Sequence, residues 1–437
     1  MPMWVETAGA AAPSPVSLVN RRCHLTNYTK QAIPAVSVHS DVIAYASPDS
    51  TYAVTKKLFD AATRSILIGI YDFSAAYMKQ LVLDALARGV TVSLMLDIDS
   101  AAETRLFGEL VDMGVVGVPA PSCANPSVQV FASAHEKVIV IDDEWTLVQS
   151  GNYSSNSIPL NEIDGGGGPA FRTGNRDTGL AIRSTELAGL FTGILTRDMA
   201  RVTAGLDQAL GVPPEPGMIL VERAPTRHPS TLFPSRVFRL DAPLTVQPVL
   251  SPDNYLDVVP ELIRTATTSI VIEQQYIKAD QPGVRLLLDA IAAARAQHPL
   301  LQVRIVLGKV FDRGDLPREH ANLEVLAKDY GLKLDDNIRY INTDQLVHCH
   351  NKMIVIDGAA VLVSSQNWSD SAVTKNREAG LWVPHPGIAQ YFEAIFETDW
   401  DSAFTSPEQG LGETPVTRAV LGAGGFVRVE PADYEQI

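Results

Sequence analysis

Cysteine is scarce in this chain: three residues among 437, Cys23, Cys123 and Cys349, with no CxxC pair. A sparse, odd-numbered set argues against a disulfide framework and against a cysteine-built zinc site. Cys349 stands beside His350 and reads as a small buried strand residue rather than a nucleophile. Long apolar runs are also missing, since no stretch of 18 such residues occurs, so no helical membrane span is expected. The opening MPMWVETAGAAAPSPVSLVNRR lacks a basic region followed by an unbroken apolar stretch, and Pro13 and Pro15 interrupt it. It does not read as a signal peptide. A cytoplasmic location is therefore expected, or a secreted one if a leader was removed ahead of the numbering. Positive charge is short as well: 35 Lys and Arg stand against 50 Asp and Glu, a net charge of −15. Proteins that hold long nucleic acids usually present a basic face, so any cationic patch here must be local.

What the sequence does contain is a repeat. SPDSTYAVTKKLFDAATRSILIGIYDF (47–73) reads as a turn, an amphipathic helix and a buried strand, and SPDNYLDVVPELIRTATTSIVIEQQYI (251–277) repeats that order at a shift of 251 − 47 = 204. Each is followed by a further helix and strand, in 78–99 and in 283–309, and each copy ends in a helix, 184–202 and 386–404. Strands alternating with helices give an α/β layered fold. A period near 200 is far longer than any solenoid unit, so the chain is an internal duplication. The expected division is a lead-in over 1–44, a first lobe over 45–210, a Pro-rich linker over 211–244, a second lobe over 245–404 and a tail over 405–437. Each lobe is expected to be a mixed β-sheet flanked by helices, the two packed with pseudo-two-fold symmetry.

Within the repeat, HEKVIVID (135–142) and HNKMIVID (350–357) nearly coincide, at a shift of 350 − 135 = 215. The apolar run predicts a buried strand, and alternation along it puts His135 with Lys137, and His350 with Lys352, on one face. Returning strands then carry Ser150 and Asn152 in the first copy, and Ser365 and Asn367 in the second. Each copy thus displays an imidazole, an ammonium and a carboxamide. Lysine and amide N–H groups suit the charge that builds on the non-bridging oxygens of a phosphodiester. Imidazole serves as nucleophile or as proton carrier near neutral pH, but hardly as both in one step, and duplication supplies two. The residues alone leave open which histidine takes which role.

The paired motifs, HEKVIVID with SGN and HNKMIVID with SSQN, resemble those of the phospholipase D superfamily over residues 45 to 400. The resemblance implies two lobes joined so that both motifs line one cleft, and chemistry through a phosphohistidine without metal or other cofactor. It implies that His135 is the nucleophile and that His350 protonates the leaving alcohol and then activates the acceptor. In KNREAG (375–380) and GNRDTG (174–179), Glu378 and Asp177 lie 28 and 42 residues beyond His350 and His135, and such a carboxylate orients a catalytic imidazole in the small nuclease branch. Each is counted here from the histidine of its own copy. The difference of fourteen matches the insertion NEIDGGGGPAFRT (161–173), expected to be a flap beside the site. Lys137, Lys352, Asn152, Asn367, Ser150 and Ser365 are expected to meet the phosphate, and Asp142 and Asp357 to anchor turns. A phospholipid is the favoured substrate, a nucleic acid the second and a silent scaffold the third; one chain holds both half-sites, so a monomer suffices.

Overall fold

The computed structural model describes residues 23–160, 174–203, 232–311 and 313–411. The first half runs through β1 (Val36–Val38), β2 (Val42–Ser47), α1 (Thr51–Ala61), β3 (Ser65–Ile70), α2 (Ala76–Ala87) and β4 (Thr91–Leu96). It continues with α3 (Ala101–Asp112), β5 (Val116–Pro119), β6 (Lys137–Ile141), β7 (Trp145–Gln149), β8 (Asp177–Arg183) and α4 (Thr185–Thr203). The second half opens with β9 (Arg236–Phe238), β10 (Leu244–Ser251), α5 (Tyr255–Arg264), β11 (Ser269–Gln274), α6 (Pro282–Gln297) and β12 (Gln302–Leu307). There follow α7 (Leu316–Tyr330), β13 (Ile338–Tyr340), β14 (Lys352–Ile356), β15 (Ala360–Ser364), α8 (Asp370–Thr374), β16 (Glu378–Val383) and α9 (Pro386–Ser402).

These strands form two eight-stranded sheets with one plan. The first is ordered β5-β4-β3-β6-β7-β8-β2-β9, and the second, read in the same sense, β13-β12-β11-β14-β15-β16-β10-β1. In the first, β3, β4 and β5 are parallel while β6, β7, β8 and β2 run antiparallel, so the sheet is mixed as expected. The edge strands are exchanged. β1, from the stretch expected to be an irregular lead-in, pairs with β10 of the second sheet, and β9, from the linker, pairs with β2 of the first. Three-residue strands give too little periodicity to stand out from their Pro- and Ser-rich surroundings. The expected flap over 161–173, the proline-dense stretch before residue 232 and the tail beyond residue 411 lie outside the described residues.

Sequence explains the central hairpins directly. VIVI and MIVI are apolar throughout and β-branched except at Met353, and every residue of β6 and β14 is buried, as in strands covered on both faces. The turns that follow hold Asp142, Asp143 and Asp357 at a φ of 54° and Gly358 at 58°. Aspartate and glycine are among the residues that tolerate this left-handed backbone. The Asp142 carboxylate accepts from the amides of Thr63, Arg64 and Ser65, and that of Asp357 from those of Thr267, Thr268 and Ser269. Both motif aspartates therefore fasten their hairpin to the loop before the neighbouring strand, far from any phosphate role.

Each sheet has its own outer core. In the first, α1 and α2 bury Leu58, Phe59, Met78 and Leu81 against Ile66, Ile68 and Ile139. In the second, α5 and α6 bury Val259, Ile263, Leu287 and Ile291 against Ile270, Ile272 and Ile354. A third cluster is shared, with Val138, Val140, Met353 and Val355 from the sheets meeting Phe191 and Leu195 of α4 and Phe392 and Phe396 of α9. The lobes thus close on a common apolar core. No helix among the described residues is long and apolar enough to cross a membrane.

Candidate active site

His135 and Lys137 enter at the start of β6, and His350 and Lys352 at the start of β14, in equivalent places of the two sheets. In each pair the ammonium bonds back to the carbonyl of its histidine, at 2.6 Å for Lys137 to His135 and 2.6 Å for Lys352 to His350. That contact is possible only because residues i and i+2 share a face, and it fixes where the charge points. Both lysines are fully buried.

The carboxylates are where sequence order misleads. His135 Nδ1 lies 2.8 Å from Glu378 Oε2, and His350 Nδ1 lies 2.9 Å from Asp177 Oδ1. Each imidazole is held by the acid of the other lobe, not by the one downstream in its own copy. The reason is topological: β8 meets β14 and β15 while β16 meets β6 and β7, so the start of each lies beside the opposite motif. The backbone confirms the crossing. The His135 amide donates to the Arg377 carbonyl at 2.8 Å, and the His350 amide to the Arg176 carbonyl at 3.0 Å. Both imidazoles therefore sit at the junction of the two sheets, each with Nδ1 committed to a carboxylate of the opposite lobe.

Ser150 and Ser365 also depart from expectation. Ser150 Oγ donates to Asp177 Oδ1 at 2.7 Å and accepts from the Thr178 amide at 3.0 Å. Ser365 Oγ donates to Glu378 Oε2 at 2.6 Å and accepts from the Ala379 amide at 3.0 Å. A hydroxyl has one proton, and here it goes to the carboxylate, so within the protein these serines hold the acids in place. Asn152 and Asn367 are different: both are buried, and neither carboxamide oxygen has a partner among the described residues. Burial opposes ionisation of Asp177, but His350, Lys352 and the Ser150 hydroxyl outweigh it and hold this carboxyl below the usual range.

Behind each acid stands a buried arginine that the sequence reading passed over. Arg176 donates to Asp399 at 2.6 and 3.1 Å, to Asp49 at 2.9 Å and to the Ser47 carbonyl at 2.8 Å. Arg377 donates to Asp198 at 2.8 and 3.2 Å, to Asp253 and to the Ser251 carbonyl. Each guanidinium joins its own SPD turn to the closing helix of the other lobe. The signal was present: Asp49 to Asp253 is 253 − 49 = 204, Arg176 to Arg377 is 377 − 176 = 201, and Asp198 to Asp399 is 399 − 198 = 201. Charged residues that recur at a near-constant shift of 201 to 204 belong to the duplication and are not turn decoration.

The halves are not identical. Tyr71 packs edge-on against His135, with ring centroids 4.7 Å apart, whereas Gln275 holds the equivalent place and its amide oxygen lies 3.5 Å from Lys352 Nζ. Glu136 takes the place of Asn351. Asn351 is satisfied by Thr178 at 2.6 Å and Glu273 at 2.7 Å, while neither oxygen of Glu136 meets a hydrogen-bond partner among the described residues. Burial pushes the Glu136 carboxyl up to about 8. Cys349 is buried and unpaired with another cysteine, as expected, but Cys23 and Cys123 form a disulfide across a separation of 100 residues. That corrects the expectation of no disulfide: only the tertiary approach, 5.4 Å between Cα atoms, pairs them.

The family described as cardiolipin synthase, PLD-like domain, matches the chain twice, over residues 55–199 and 259–400. Among solved structures, phosphatidylserine synthase of Haemophilus influenzae Rd KW20 aligns with a TM-score of 0.60 at 16% identity, over 86% of this chain and 90% of that one. Nuc, a phospholipase D family member from Salmonella typhimurium, aligns at 19% identity over 37% of this chain and 94% of its own, with a TM-score of 0.30. Polyphosphate kinase of Porphyromonas gingivalis aligns at 14% identity over 82% of this chain and 50% of that one, with a TM-score of 0.48. No curated protein matches by sequence. With the first of these structures sharing its fold, and two matched segments covering more than half its length, the chain belongs to the phospholipase D superfamily, in the family of cardiolipin synthase PLD-like domains.

Proposed function

We propose that the chain is a phosphodiesterase of the phospholipase D type that cleaves or exchanges the head group of a phospholipid through a covalent phosphohistidine. The observation that carries this reading is the crossed pairing of His135 with Glu378 and His350 with Asp177. It prepares two imidazoles alike, each with Nδ1 anchored on a carboxylate that orients the ring. In the first step His135 Nε2 attacks phosphorus, the bond to the leaving alcohol breaks, and His350 supplies the proton that alcohol needs. In the second, His350 takes a proton from water or an acceptor alcohol, whose oxygen attacks phosphorus as the P–N bond breaks and His135 is regenerated. Lys137, Lys352, Asn152 and Asn367 stabilise the charge on the non-bridging oxygens.

Membership in a family named for cardiolipin synthase, and the shared fold of a phosphatidylserine synthase, favour a phospholipid. A net charge of −15 favours a single diester over a long polyanion. The test offers purified protein phosphatidylcholine micelles, with and without a primary alcohol, and a single-stranded oligonucleotide, all in chelator. His135→Ala and His350→Ala serve as controls. Head-group release or exchange lost in both variants supports the reading, and the alcohol arm separates hydrolysis from transfer. Turnover of the oligonucleotide alone would replace it with a nuclease.

A further inference from the structure

The two arginine clamps match partner for partner until the last contact. Arg377 also donates from Nη2 to the hydroxyl of Tyr28, at 2.9 Å, and Tyr28 donates in turn to Asp253 Oδ1 at 2.9 Å. Around Arg176 the ring of Phe233 lies 5.7 Å from the guanidinium. Tyr28 belongs to the strap ahead of β1, and the strap is lightly held. His24, Leu25, Thr26 and Asn27 are exposed, and the strap's anchors include His24 and Thr26 on Gln129, the Gln31 amide on Asp253 at 2.7 Å, Arg197 on the Gln31 side chain at 2.7 Å and the Lys30–Asp257 ion pair. The Cys23–Cys123 disulfide closes its outer end onto the loop that leads into His135. In that loop Phe131 packs on Tyr28 at 5.2 Å and lies under the Arg377 guanidinium at 4.3 Å.

We propose that Tyr28 is a positioning residue for the His135 half-site and that the Cys23–Cys123 disulfide keeps it there, so that the redox state of this bond sets the rate of phosphohistidine formation. The Arg377 backbone both accepts from the His135 amide and leads directly into Glu378, so a loosened guanidinium loosens the His135–Glu378 pair. Opening the disulfide with dithiothreitol yields two thiols and the cyclic disulfide of the reagent. The strap is then left with its hydrogen bonds to Gln129, Asp253, Arg377 and Arg197 and the Lys30–Asp257 ion pair. A staple acts by keeping the tyrosine at high effective concentration beside its arginine.

This inference rests on the phosphohistidine reading, and the test separates the two. Full-length protein, Tyr28→Phe and Cys23→Ser are compared on a chromogenic aryl phosphodiester by rapid quench, across pH, with and without dithiothreitol. Tyr28→Phe is expected to slow phosphohistidine formation three- to tenfold, with KM within twofold and a displaced pH–rate profile. Dithiothreitol reproduces this in the wild-type protein and does nothing further to Cys23→Ser. The reductant arm on unaltered protein decides the matter if Tyr28→Phe folds poorly. Unchanged burst rates and pH profiles in both arms overturn the inference while leaving the reaction intact. A wild-type protein that forms no phosphohistidine removes the underlying reading, and the inference falls with it.

Discussion

His135 and Glu378 stand 243 residues apart in sequence and 2.8 Å apart in space, the histidine from one lobe and the carboxylate from the other. Neither lobe alone therefore holds a complete half-site. If His135 is the nucleophile, Glu378→Gln slows phosphohistidine formation, and Asp177→Asn, which unpins His350, slows its breakdown. Each effect is expected at about 10- to 100-fold, the range for partners that orient a reacting imidazole. Acid-quenched time courses check this: intermediate accumulates in Asp177→Asn and is scarce in Glu378→Gln. The opposite pattern would exchange the roles of the histidines.

The serines separate two kinds of contact. Ser150→Ala and Ser365→Ala leave every phosphate ligand in place but free a carboxylate to move. A fall in kcat of about tenfold with KM within twofold is expected, whereas Asn152→Ala and Asn367→Ala raise KM as well. Steady-state kinetics on one soluble diester distinguishes them.

Arg377→Met is expected to destabilise the fold by about 3–5 kcal/mol, because it leaves Asp198 and Asp253 buried without their counter-charge. Arg377→Lys recovers little, since an ammonium cannot reproduce the forked contact with Asp198. Denaturant unfolding, read against the same changes at Arg176, measures both.

Glu136 gives the stability of the fold a pH dependence of known sign. Its folded carboxyl titrates at about 8, above the ordinary value of 4.5, because burial disfavours the charged form. Between those values the unfolded chain loses a proton that the folded chain keeps, so stability falls as pH rises through the window and levels off above it. Glu136→Gln keeps the shape without the titration. It is expected to raise the melting temperature at pH 7.5 by several degrees more than at pH 4.5, and a series of melts across pH checks this.

Asp357→Ala tests the structural assignment of the motif aspartates. It removes an acceptor of three amides and the Thr267 and Thr268 hydroxyls, and a loss of about 2 kcal/mol is expected for so solvent-accessible a turn. Activity per folded molecule stays within a few-fold, as measured on protein whose folded fraction is known.

Sequence alone determined the duplication, the α/β layering, the motif strands and the shared face of each histidine and lysine. Those properties are local: β-branched runs and i, i+2 alternation state what a segment does before it meets any other. It also placed Asn152 and Asn367 by simple spacing. Tertiary structure decided that each imidazole takes its carboxylate from the opposite lobe, that β1 and β9 change sheets, and that Cys23 finds Cys123. It decided too that Ser150 and Ser365 serve the acids. All four depend on which surfaces dock once the apolar core of α4, α9 and the two sheets has closed. Burial of that core is non-directional and leaves no periodic trace in the chain.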